Sequence, residues 1–142
     1  MLLLWATYKK NSRECIIDKK YIPDIVERSF GQDMFDQEAG IRTMSELSET
    51  YNPNQDSYHN GSFWPKLNGM AYGGLLNWGY YGEAEKLKNA SLKPISYFKT
   101  PIELYVKNKK GEYLEFCSSS GQVSCRNQAW SAAVVLYLTS QN

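Results

Sequence analysis

The chain has 142 residues, with 16 Lys plus Arg against 15 Asp plus Glu and a formal net charge of +1. That is one domain's worth of sequence, long enough to bury a core. The lysines are scattered rather than striped along one face, which speaks against a nucleic-acid partner. Aromatic residues make up 14%, with 11 Tyr and 4 Trp, a content that suits sugar binding or a large buried core.

Met1 to Tyr8 is apolar, but it lacks a basic leader and a cleavage site and is too short to span a membrane. A short helix is expected over residues 2–9, with a strand left open for so brief a run. A chain that opens on Leu-Leu-Leu-Trp without a cap reads as one beginning in mid-fold. Cys15, Cys117 and Cys125 are too few and too irregularly spaced for a disulfide framework or a zinc site. Their odd number favours a reducing compartment, hence a cytoplasmic location. Ile22, Ile25, Val26 and Phe30 mark one helix face, with Pro23 near the start and Gly31 past the end. Residues 31–64 read as a long connection, and loops of that length within a domain are usually functional.

A helix is expected from Pro65 to Tyr80, carrying Leu67, Met70, Ala71, Leu75 and Trp78 at helical spacing. Gly69, Gly73 and Gly74 weaken it by roughly 1 kcal/mol each relative to Ala, and let another helix or a ligand come close. A second helix runs from Gly82 to about Phe98, with Ala84, Leu87, Ala90 and Leu92 inward and Pro94 kinking or ending it. Residues 99–125 form another loop-like stretch, with a Lys-Lys-Gly turn at 109–111. The last helix spans Gln128 to Leu138, with Ala129, Trp130, Ala133, Val134 and Tyr137 on its apolar stripe. No βαβ alternation appears, so the expected class is all-α. Each long loop leads into a helix start, so the two should converge at one end, where a site would lie.

Ser57 to Pro65 reads Ser-Tyr-His-Asn-Gly-Ser-Phe-Trp-Pro and holds the only histidine. Asn60-Gly61 signals a turn, and Pro65 suits the first position of a helix. The loop should therefore present Tyr58, His59 and Trp64 together at a helix N-terminus. An indole face stacks on the C–H surface of a sugar, and groups that match hydroxyls sit at its edge. The default alternative is a turn whose Trp64 plugs the core. Without Cys or acids at ligand spacing, His59 is a hydrogen-bonding residue rather than a metal ligand. Asp33, Asp36 and Glu38 cluster before Gly40 and read as solvated acids with no role. There is no Gly-rich phosphate loop, no Ser-His-Asp order and no metal motif, so no cofactor is expected.

Four segments occur in a telling order: Gly40-Ile-Arg-Thr-Met-Ser45, Tyr58-His-Asn-Gly-Ser-Phe-Trp-Pro65, Pro101-Ile-Glu-Leu104 and Cys125-Arg-Asn-Gln-Ala-Trp-Ser-Ala132. Together they resemble the C-terminal part of amylo-α-1,6-glucosidases, the glucosidase domain of glycogen-debranching enzymes. The resemblance covers roughly residues 20–140. It implies that residues 1–142 form one domain, the C-terminal portion of a six-hairpin α/α barrel, that is, a partial (α/α)6 toroid. It also implies inverting hydrolysis of α-glucans, which needs two carboxyl groups about 6.5–9.5 Å apart. By resemblance the base that activates water is Glu103, although Ile102 stands between it and Pro101 and departs from the family pattern; Glu112 and Glu115 are reserves. Trp64, His59, Tyr58 and Arg42 would bind sugar, and Gln128 and Trp130 would border the pocket.

No segment here matches the family's general acid, whose role alone contributes about 10²–10⁴-fold. The expectation is a glycosidase of low activity unaided, completed by a partner chain carrying the N-terminal part or by self-association. The alternative is a catalytically incomplete carbohydrate-binding or assembly piece. The implied partner is an α-glucan or oligosaccharide, with no nucleic acid and no membrane.

Overall fold

A computed structural model describes residues 1–7 and 14–140. Residues 8 and 9 of the expected first helix fall outside the described residues, and the helical part is one turn, α1 (Leu2–Trp5). After a 3-10 turn at Lys19–Tyr21 come α2 (Ile22–Ser29), β1 (Phe35–Asp36), β2 (Gly40–Ile41), α3 (Pro65–Trp78) and α4 (Tyr81–Phe98). Then β3 (Tyr105–Lys107), β4 (Tyr113–Glu115) and α5 (Ala129–Ser140) close the order.

The expectation of an all-α fold is therefore corrected. β1 pairs with β2 and β3 with β4, giving two antiparallel two-stranded sheets. Of the expected partial (α/α)6 toroid, the described residues show one helical hairpin, α3–α4, beside two strand hairpins. The strands were hidden by their brevity. Tyr105-Val106-Lys107 and Tyr113-Leu114-Glu115 are shorter than the window in which alternation becomes a signal. Their turns are chemically explicit. Asn108 Oδ1 accepts the N–H of Lys110 at 2.9 Å and of Glu112 at 3.0 Å, and Gly111 takes φ +83°. In the first hairpin Asp36 Oδ1 accepts the Glu38 N–H at 2.8 Å, and Gly40 takes φ +97°.

α3 is the helix on which α1, α4 and α5 pack. It starts at Pro65, where the missing N–H is no loss, and stops at Gly79 in the left-handed conformation. Its glycines admit close neighbours. A Cβ on Gly69 would stand 2.5 Å from Val134 Cγ2 of α5, and one on Gly74 would stand 3.0 Å from the Trp5 N of α1. Leu4, Ile22, Val26, Tyr72, Leu75, Leu87 and Leu138 fill the core around it. α4 runs through the buried Pro94 and ends at Lys99 with φ +55°.

Of the expected stripe on α5, Val134 packs on the core, but Ala129, Trp130, Ala133 and Tyr137 are exposed, and the buried residues are Ser131 and Leu138. A helix apolar on nearly every side, as α5 is from Ala132 to Leu138, carries no periodicity that selects one face. No helix among the described residues is long and apolar enough to cross a membrane.

Candidate functional site

The two long loops meet edge to edge. The Phe63 N–H donates to the Tyr105 carbonyl at 2.8 Å, and the Tyr105 N–H returns to the Phe63 carbonyl at 3.1 Å. Cys117 N–H donates to the Gln55 carbonyl at 3.1 Å, and Gln55 Nε2 donates to the Glu115 carbonyl at 2.9 Å. Under this seam Ala39, Phe63, Ile102 and Tyr105 form a small core, with Phe63 and Tyr105 stacked at 5.6 Å.

On one side of the seam stands an aromatic group. Trp64 is only 7% exposed and packs with Leu104 and Phe116. Its Nε1 donates to the Tyr58 carbonyl at 3.0 Å and to Ser62 Oγ at 3.1 Å. His59 lies over the indole at 5.1 Å and 19°. Tyr58 meets His59 edge-on at 4.4 Å, Trp64 at 5.0 Å and Phe116 at 5.2 Å. Trp64 is thus a plug whose outer face His59 covers, and the exposed rings of the group are those of Tyr58 and His59.

Glu103 is half-buried in the bend just before β3, next to Leu104. It makes a reciprocal tie: its N–H donates to the Cys125 carbonyl at 2.8 Å, and its Oε2 accepts the Cys125 N–H at 3.1 Å. The carboxylate therefore leans toward the loop before α5, while the neighbouring Leu104 leans on Trp64. Of the reserves, Glu112 accepts Asn108 Nδ2 at the hairpin tip, and Glu115 pairs with Arg126 at 3.2 Å. Gln128 caps its own helix, its Oε1 accepting the Ala129 N–H at 3.0 Å. Trp130 is 38% exposed, with Lys66 Nζ 4.5 Å above its ring. Lys66 follows Pro65, so Trp130 reaches the start of α3, close in sequence to Trp64.

Arg42 is 9% exposed and lies 4.9 Å over the Phe63 ring. Its Nη2 contacts Glu46 at 2.6 Å and Asp36 at 3.5 Å, while Nε and Nη1 have no protein partner. It lines an open cleft of about 680 Å³ with Asp36, Glu46, Tyr51 and Lys107. Burial pushes the Asp36 carboxyl up. The Lys107 ammonium at 2.8 Å, the Glu38 N–H and the Arg42 charge outweigh it and hold the group below its ordinary value. Burial raises the Tyr51 phenol, against the pull of Arg42.

Sequence reasoning passed over Asp36, Glu46, Tyr51 and Lys107. The acids before Gly40 are not simply solvated: Asp36 takes Lys107, Asp33 takes Arg28 at 2.6 Å, and Glu38 takes Lys93 at 2.6 Å. Asp36 and Lys107 are 71 positions apart, so no local pattern marks the pair. No model of a known protein family matches the chain, and no curated protein matches it.

Proposed function

We propose that this chain supplies the sugar-contacting wall of an inverting glycoside hydrolase for α-glucans, of the glycogen-debranching, amylo-α-1,6-glucosidase type. The observation that supports it is the Phe63–Tyr105 seam, which brings the Tyr58–His59–Trp64 loop and the segment before β3 that bears Glu103 and Leu104 side by side. Tyr58 and His59 offer ring faces to a pyranose, and Glu103 deprotonates the attacking water once it is released from Cys125.

The general acid must hold a proton at working pH. Asp33 and Asp36 do not qualify, since Arg28 and Ser45 hold the first at about 2 and Lys107 and Arg42 keep the second low. The chain then turns over little alone, and a partner chain or a second copy completes it. The Glu103–Cys125 tie favours a second reading, a carbohydrate-binding piece without catalysis of its own.

The test is maltose and isomaltose hydrolysis, followed by NMR of the released anomer, beside calorimetric binding of maltooligosaccharides. The expected result is binding with little turnover, and E103Q removes whatever turnover exists while binding persists. Turnover at the rate of a complete glucosidase would refute the missing-acid argument, and absence of any saccharide binding would sink the sugar reading.

A further inference from the structure

The outer face of the β3–β4 hairpin carries a second cleft, of about 610 Å³, that the reading above does not use. At its outer end stands Tyr97, in the last turn of α4 and 60% exposed. Phe98 braces its ring edge-on at 5.1 Å and Tyr113 braces it at 5.1 Å. Tyr113 is itself held, its hydroxyl donating to the Glu38 carbonyl. A bulky ring fixed by its neighbours yet open to water is a preorganised platform, because it loses little freedom when something stacks on it. At the other end are Phe116 and the Arg126–Glu115 ion pair, 3.2 Å between its charged atoms.

The charges along this cleft cancel, since Arg126 and Glu115 are the charged residues that line it. A phosphate or a nucleic acid would find no net attraction there. An ion pair in the same cleft as an open ring instead offers a donor and an acceptor along with an apolar face, which matches vicinal hydroxyls and pyranose C–H bonds. A proline-rich peptide also docks on aromatic grooves, and the titration below tells the two ligands apart. Phe116, buried at the floor between cleft and seam, touches Tyr58 at 5.2 Å, so the cleft and the seam group lie on the two sides of one packed ring.

We propose that the cleft between Tyr97 and Arg126 is an auxiliary saccharide site, holding units of an α-glucan chain beyond the one seated at Tyr58 and His59. The choice of α-glucan as ligand rests on the proposed function; the cleft's own chemistry asks only for a neutral saccharide. The test is titration of the full chain with maltoheptaose and with maltose, read by calorimetry and by amide NMR shifts.

Y97A is expected to weaken maltoheptaose about tenfold, the loss of one ring contact, and to leave maltose unchanged. Y97F, which keeps the ring, retains wild-type affinity, and R126A weakens only the longer ligand. H59A weakens both ligands. Equal maltoheptaose affinity in wild type and Y97A overturns the auxiliary site and leaves the seam site standing. Shifts at Tyr97 and Phe98 with a proline-rich peptide but not with maltoheptaose overturn it too. If neither saccharide binds the wild type, the sugar reading of the seam and the auxiliary site fall together.

Discussion

Asp33 shows how much a single carboxyl on these loops is asked to do. Arg28 donates to it through two nitrogens, at 2.9 and 2.6 Å, and Ser45 adds its hydroxyl. Those bonds, the arginine's first, bring its pKa from 3.8 to about 2. A carboxyl whose folded value lies below its unfolded one stabilises the fold above the unfolded value, and that contribution disappears as pH falls toward the folded one. The contribution is therefore full above pH 4 and lost on the way down to about 2. Urea midpoints measured from pH 2 to 5 should fall steeply in the wild type and less steeply in D33N. The two curves should converge at the acid end and separate above pH 4. Some slope must remain in D33N, because Asp36 is also held low. Curves that stay parallel across the range would show that the Arg28 bonds do not persist in solution. The acids were visible in the sequence, but their partners were not. Arg28 is only five positions from Asp33, yet the bend at Gly31 that folds one back on the other is a property of the turn.

The helices were the legible elements. Pro65 and the spacing of Ile22 to Phe30 mark an end and a face by local chemistry, and the structure follows them within two residues. Pro94 misleads as a stop because its burial among the helical residues Leu87, Ala90 and Ser91 keeps α4 intact through it. The glycines of α3 test packing directly. G69A gains helix propensity of roughly 1 kcal/mol, but its methyl would stand 2.5 and 2.8 Å from both Val134 methyls. Val134 is β-branched and cannot swing aside in α5, so overpacking costs about 1–3 kcal/mol and outweighs the gain. G69A should lower stability by about 1 kcal/mol, and in a V134A background the same change should be neutral or stabilising. G82A in α4, where an added Cβ meets nothing within 4 Å, should raise stability by about 0.5 kcal/mol. Chemical denaturation of the four variants closes the cycle. A G69A chain as stable as wild type in the Val134 background would mean that α3 and α5 leave room for a methyl at Gly69.

At the scale of the molecule, the loops form one end of the fold because long-range polar bonds tie them, and those bonds are what sequence periodicity cannot reveal. Tyr105 is the hub: its backbone pairs with Phe63, its ring stacks there, and its hydroxyl donates to the Ala39 carbonyl at 2.8 Å. Burial raises its phenol well above the usual range, so it remains a neutral donor throughout ordinary pH. That the loops at 31–64 and 99–125 should share an end could be reasoned from their leading into helices. That Tyr105 rather than Trp64 would be the joint could not, since a lone Tyr in a short strand carries no pattern. Y105F keeps the stacking and removes only the hydroxyl, leaving the carbonyl of a fully buried Ala39 without its donor. The penalty for a buried acceptor left unpaired is about 1–3 kcal/mol. The opening it promotes is local, because Ala39, Phe63, Ile102 and Tyr105 form a small cluster of their own that meets α4 at Ile95 and Phe98, near that helix's C-terminal end. Hydrogen exchange should therefore speed up together at the Phe63 and Tyr105 amides and at the β1–β2 hairpin, while amides inside α3 and α4 hold their protection. Uniform acceleration across α3 and α4 would instead mean that loops and helices unfold as one unit, and a sugar site at the seam could then not open without unfolding the chain.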